Sequence, residues 1–230
     1  MPRLEIANSK RKELEKVEEY YNALCTNIQL SGEHIKVIAV SSVNPNEGKS
    51  TTSFHLGAAF ARAGYNTLLL DADIRNSVIS GTFHAKERLT GLTDYLSGNA
   101  DLSQGLCETD LEHLFVIESG PKSPNPTALL QGPTFAKMLD TLKRYYDYIV
   151  VDTAPIGLVI DAAIIAQNCD ASILVTETGS VKRKALKKAQ EQFEQTGTPF
   201  LGVVLNKYDR QLDAYGSYGS YGDYGNYGKK

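Results

Sequence analysis

The chain has 230 residues, 42% hydrophobic and 22% charged, the mix of an ordinary globular domain with one full core. A formal net charge of -3 and a pI near 5.8 give no basic field, so general nucleic-acid binding has no support and acidic lipid is a poor partner. Cys25, Cys107 and Cys169 lie far apart with no C-x-x-C pairing, which argues against a disulfide framework or a cysteine-ligated metal and fits a reducing cytoplasm.

Lys10, Arg11 and Lys12 lead straight into Glu13, Glu15, Glu18 and Glu19, unlike a signal peptide. From Ser9 to Leu30, Leu14, Val17, Tyr21, Leu24 and Ile28 recur at spacings of three and four, which predicts an amphipathic helix ahead of the core. Ile35 to Val40 reads as an apolar strand, Asn44-Pro45-Asn46 as a turn, and Lys49 to Ala63 as a helix. Further apolar runs at Thr67 to Leu70, Leu114 to Ile117, Tyr148 to Val151, Ile173 to Val175 and Leu201 to Leu205 predict strands. Their continuous apolarity implies cover on both faces, hence an α/β fold with a doubly wound, mostly parallel sheet. The longest apolar run, Ile156 to Ala166, is broken by Asp161 and falls short of the roughly 20 residues that span a bilayer. Three segments are expected: an N-terminal helical part (1–34) packing on the core, a central domain (35–207) and a flexible tail (208–230).

Val43 to Ser50 matches G-x-x-x-x-G-K-[ST] except that valine replaces the first glycine. Between a strand and a helix, such a loop aims backbone N–H groups at phosphate oxygens, and Gly48 lets the backbone approach them closely. Lys49 then bridges phosphates and the Ser50 hydroxyl ligates Mg²⁺, with Glu47 and Thr51 completing the nucleotide-binding stretch. Two apolar strands end in carboxylates, at Asp71-Ala72-Asp73-Ile74-Arg75 and at Asp152-Thr153-Ala154-Pro155. In a doubly wound sheet these ends share one edge, so Asp71, Asp73 and Asp152 should gather around the loop as a metal site with a spare carboxylate to accept a proton. His34, His55, His84 and His113 lack metal-ligand spacing. Lys182, Arg183, Lys184, Lys187 and Lys188 read as the solvated face of a helix, and Ser123 to Pro126 as a turn before a helix with a cap at Asn125.

From Tyr215 onward the sequence reads Tyr-Gly-x five times, with tyrosines at 215, 218, 221, 224 and 227. Glycine in every unit of three suits neither helix nor apolar strand and predicts a disordered tail that offers several hydroxyls in turn.

The phosphate loop, the Asp71-x-Asp73-x-Arg75 strand end, the Asp152 strand and the tyrosine cluster together resemble the bacterial tyrosine kinases, in particular the separate cytoplasmic kinases of Gram-positive streptococci. The resemblance covers nearly the whole chain, from the Glu18 to Gln29 segment to the tail. It implies an ATP-dependent, Mg²⁺-dependent autokinase that phosphorylates Tyr215, Tyr218, Tyr221, Tyr224 and Tyr227 and serves capsule or exopolysaccharide production. In its terms Lys49 and Ser50 handle phosphate and metal, Asp73 and Asp152 organise the metal, Asp71 is the base, and Asn206 lies near the adenine. It also implies a transmembrane polysaccharide co-polymerase as activator, a cognate phosphotyrosine phosphatase, possible self-association, and recruitment to the inner face of the membrane through a partner. Ring-forming relatives carry arginines where this chain has Asn22 and Cys25 after Glu19, so the arginine motif that builds a ring through that helix does not carry over. The competing reading is a partitioning-type ATPase switch, whose members carry an extra lysine where Asn44 stands here.

Overall fold

A computed structural model describes residues 1–84 and 89–208. A short strand β1 (Arg3–Ile6) precedes the long helix α1 (Asn8–Ser31). Strand β2 (Val37–Ser42) then leads through the phosphate loop into helix α2 (Lys49–Arg62), and β3 (Thr67–Asp71) follows. Next come β4 (Phe83–His84), α3 (Leu92–Leu96), α4 (Leu102–Gly105), β5 (Leu106–Thr109), β6 (Leu114–Ile117), α5 (Pro126–Gln131) and α6 (Pro133–Leu142). The last elements are β7 (Tyr148–Asp152), α7 (Asp161–Ala166), β8 (Ala171–Glu177), α8 (Arg183–Glu194) and β9 (Phe200–Asn206). The tail tyrosines 215, 218, 221, 224 and 227 lie outside the described residues.

The strands form one sheet in the order β4-β1-β5-β6-β3-β7-β2-β8-β9. From β6 to β9 every pairing is parallel, while β5 runs antiparallel to β6 and β4 antiparallel to β1. Because side chains alternate along a strand, the apolar runs serve two cores at once. Val37, Ala39, Leu68, Leu70, Ile149 and Val151 face one core, closed by α5 to α8. Ile38, Val40, Leu69, Val150, Ile173 and Val175 face the other, closed by α1 and α2.

Several expectations shift at the ends of elements. The strand expected over residues 35–40 lies at Val37–Ser42, because Ser41 and Ser42 still pair with β8 and the Ser41 hydroxyl is satisfied by the Ala154 carbonyl at 2.9 Å. Strands β1, β4 and β5 have no counterpart in the sequence reading; each has two to four residues, too short for a period to register. Asn125 does precede α5, but its side chain makes no capping bond. The basic residues of α8 are exposed, as a solvated face should be.

Helix α1 buries Leu14, Cys25 and Ile28 and lies along α2. Glu19 and Asn22 are exposed, but Cys25 is turned inward toward the Leu56 carbonyl, so only two of the three ring-motif positions are available to another molecule. The Tyr21 hydroxyl donates to Thr52 at 3.3 Å, and the Tyr21 ring meets His55 edge-on at 4.9 Å. His55 is buried with neither ring nitrogen bonded to a protein group. Burial lowers its pKa to about 4; Glu13 works against this, while Lys10 and Arg62 add to it.

A base whose folded pKa is depressed loses stabilising effect as pH falls, because the unfolded chain takes up the proton first. Between pH 6.5 and about 4 the wild type should therefore lose up to about 1.4 kcal/mol per pH unit through this residue. Urea unfolding across that range should give a shallower dependence for His55→Phe; equal slopes would contradict the assignment.

Candidate active site

The parallel strands deliver their C-terminal ends to one edge. Strand β2 feeds the phosphate loop there, β3 ends at Asp71, β7 at Asp152 and β9 at Asn206. Asp71 and Asp152 are direct neighbours in the β3–β7 register, which forces two carboxylates together inside the protein.

Lys49, the first residue of α2, answers that charge. Its ammonium lies 2.9 Å from Asp73 Oδ2 and 3.5 Å from Asp152 Oδ2 and donates to Ser50 Oγ at 3.1 Å. Burial alone would lower the Lys49 pKa, yet Asp152, Asp73 and Asp71 outweigh it and hold the pKa above the ordinary value. Asp152 is fully buried and accepts from Ser50 Oγ at 2.6 Å and Ser53 Oγ at 3.0 Å. Burial raises its pKa, with Lys49 and the two serines pulling the other way. Asp71 is raised as well, by burial first and by the Asp152 charge second. Both Asp71 oxygens are engaged, one by the Ser77 hydroxyl and the other by the Asp73 amide at 3.2 Å.

The loop is braced from inside. Glu47 turns its carboxylate inward, accepting from the Asn44 amide at 2.6 Å and from the Thr176 and Ser180 hydroxyls at 3.0 Å each. Its side chain therefore shapes the loop and leaves only main-chain atoms for a ligand. Asn206 Nδ2 donates to the Glu47 carbonyl at 3.0 Å. Gly48 has φ 95°, and a Cβ there would fall 1.9 Å from Asn206 Nδ2, so both conformation and space demand glycine. A Cβ on Gly157 would lie 2.2 Å from the Val43 carbonyl, which packs the segment after β7 directly against the start of the loop. Valine is tolerated at 43 because its own φ is not positive.

A cleft of about 360 Å³ opens over this edge, within the range of small-ligand sites. Gly48, Lys49, Ser50, Thr51, Asp73 and Arg75 line it, whereas Asp71 and Asp152 lie beneath. The sequence-predicted residues thus converge, with Asp73 as the carboxylate that faces the cleft. The donor set suits a Mg²⁺–nucleotide pair: the Ser50 hydroxyl and the Asp73 and Asp152 carboxylates are hard oxygen donors around a left-handed glycine loop. Among the described residues no group of three or more His, Cys, Asp or Glu side chains could by itself hold a metal ion, so a Mg²⁺ here would need further ligands from phosphates and water.

Arg75, Asp161, Thr127 and Ser77 form a second layer that the sequence reading missed. The Arg75 guanidinium donates to Asp161 at 2.5 and 3.1 Å and to Thr127 Oγ1 at 2.8 Å, and the Thr127 hydroxyl in turn donates to Asp161 at 3.0 Å. The signal was present: Asp161 is the lone charge in an apolar run and is fully buried, which requires a cationic partner.

The AAA domain family model matches residues 35–196. The chain is 64% identical over 216 residues to the tyrosine-protein kinase CpsD of Streptococcus pneumoniae, covering 94% of this chain and 95% of that one. The crystal structure of the chimerical protein CapA2B2 superposes with a TM-score of 0.79 at 32% identity, over 84% of this chain and 85% of that one. The kinase domain of the Escherichia coli tyrosine kinase ETK gives 0.77 at 26% identity, over 89% and 80%.

Gly48→Ala should weaken binding of a fluorescent ATP analogue by about tenfold or more, because loop and Asn206 must part to admit the methyl group. A variant with unchanged circular dichroism and unchanged affinity would contradict this account of the loop.

Proposed function

Since this chain belongs to the bacterial tyrosine-protein kinase family, we propose that it is an autokinase that transfers the γ-phosphoryl group of ATP to Tyr215, Tyr218, Tyr221, Tyr224 and Tyr227 of its tail. The observation that carries this reading is the convergence of Lys49, Asp73 and Asp152 at one cleft at the ends of the parallel strands.

The loop amides and Lys49 hold the phosphates, and the Lys49 ammonium leaves Asp73 for the β- and γ-phosphates as they arrive. Ser50, Asp73 and Asp152 would hold Mg²⁺, which would offset the charge that develops on the phosphates. Thr51 lines the cleft, and Asn206, pinned to the Glu47 carbonyl, would lie near the adenine, as the family resemblance implies. In the transfer, the tyrosine oxygen bonds to the γ-phosphorus, the β–γ bridging bond breaks, ADP departs and the phenolic proton passes to Asp71. Ser77 donates to Asp71, so its hydroxyl either turns aside or hands that proton on.

No helix among the described residues is long and apolar enough to cross a membrane. In this reading a transmembrane co-polymerase recruits the kinase from the cytoplasm to the inner face of the membrane, where it serves capsule or exopolysaccharide production, and also acts as its activator. A cognate phosphatase reverses the reaction, and self-association brings one tail to another site. Residues 1–34, 35–207 and 208–230 take the parts of helical segment, catalytic domain and substrate tail. The partitioning-type ATPase shares the parallel sheet and loop, but the kinase relative matches across 94% of this chain.

The test is phosphotyrosine formation by the purified chain with Mg²⁺, ATP and the activator's cytoplasmic fragment, beside Lys49→Met and a chain ending at Asp213. Lys49→Met should abolish labelling, and truncation should remove most of it while ATP binding survives. Phosphate release without tyrosine labelling would overturn the reading. Because Lys49→Met leaves buried carboxylates unpaired, at a cost of about 3–5 kcal/mol, its fold is checked by urea unfolding.

A further inference from the structure

One wall of the cleft is apolar where phosphate chemistry has no use for it. Val78 and Leu158 both line the cleft, yet they are 57% and 60% exposed. Large apolar side chains left this open beside a polar site mark a surface that meets a ligand. Leu158 is rigidly placed: its amide and that of Val159 donate to the Pro155 carbonyl at 3.0 and 3.3 Å, and Gly157 in the same turn presses on Val43. Val78 follows the Asp73–Ser77 segment that carries the cleft-facing carboxylate.

We propose that Val78 and Leu158 form the acceptor subsite, gripping the phenol ring of a tyrosine from the 215–227 repeat so that its hydroxyl enters the cleft toward the Asp71–Asp73 strand end. The inference rests on the kinase reading above and adds the side chains that choose the acceptor. A phenol needs apolar walls and one polar partner at its far end, which this wall and this floor supply. Asp73 lines the cleft although it is only 3% exposed, and Asp71 is buried beneath it. On this proposal the phenol carries its hydroxyl from the rim into the cleft, and the shorter serine and threonine side chains offer no ring for the apolar residues to hold.

The course of the chain favours this occupant. Lys207 Nζ donates to the Asn46 carbonyl at 3.0 Å, and Asn46 lines the same cleft, so the segment carrying the repeat sets out from the rim. Six residues lie between Tyr208 and Tyr215, and the seven steps from one to the other span up to roughly 25 Å when extended. Glycine after each tyrosine lets the acceptor backbone lie close against the rim.

The experiment uses the full chain, Leu158→Ser, Val78→Ser and the conservative Leu158→Met, with a peptide copying residues 217–222 as acceptor. Its KM is measured at saturating Mg²⁺ and ATP. The Kd of the same peptide with phenylalanine for tyrosine is measured with a non-hydrolysable nucleotide bound. Both serine variants should raise peptide KM and Kd about tenfold or more, with Leu158→Met within about threefold of wild type. Unchanged peptide values would overturn the proposal. So would loss of nucleotide affinity in the serine variants, which would give the wall to the nucleotide, or altered sedimentation with intact peptide binding, which would give it to a contact between copies. The Kd arm separates the two readings: a wild type that binds the phenylalanine peptide through this wall but labels no tyrosine supports the subsite and sinks the kinase, while a wild type that binds no peptide sinks the subsite.

Discussion

A lysine ammonium buried among three carboxylates governs the architecture of this protein. Parallel pairing sets Asp71 beside Asp152, and burial of both would be prohibitive without a cation. Lys49 supplies the cation because the loop places the start of α2 above that pair. Lysine and carboxylates each justify the other's burial, and a phosphate group competes for the same ammonium. The site is thus assembled beforehand, and ligand binding becomes an exchange of partners within a fixed frame.

Fixing the frame falls to groups that never touch the chemistry. Glu47 ties the loop to β8 and the turn that follows it, Asn206 ties it to β9, and Gly157 presses the β7–α7 segment on it from another side. Buried polar groups of this kind are satisfied only in one geometry, so they specify the loop more sharply than apolar packing would. Helix α1 extends the frame outward: through Tyr21, Thr52 and His55 it rests on the helix that carries Lys49.

Much of this was legible from residue order alone. The continuous apolar runs announced strands covered on both sides, and carboxylates at the ends of two of them announced the site edge, because strand direction in a doubly wound sheet is a topological rule. The short strands β1, β4 and β5 were hidden, since their stability comes from partners up to about a hundred residues away in sequence rather than from a local pattern. Glu47 was read as a nucleotide contact from its place in the motif; its inward turn depends on Thr176 and Ser180, which nothing nearby in sequence signals. Asp161 was visible as an interruption, but its pairing with Arg75 across 86 positions needed the fold.

The most direct measurement is a crystal structure of the full chain with Mg²⁺ and a non-hydrolysable ATP analogue. Lys49 Nζ should leave Asp73 for the β- and γ-phosphates, with Ser50 on the metal and Glu47 still bonded to Thr176 and Ser180. Phosphates bound elsewhere, with the lysine still paired to Asp73, would contradict the account.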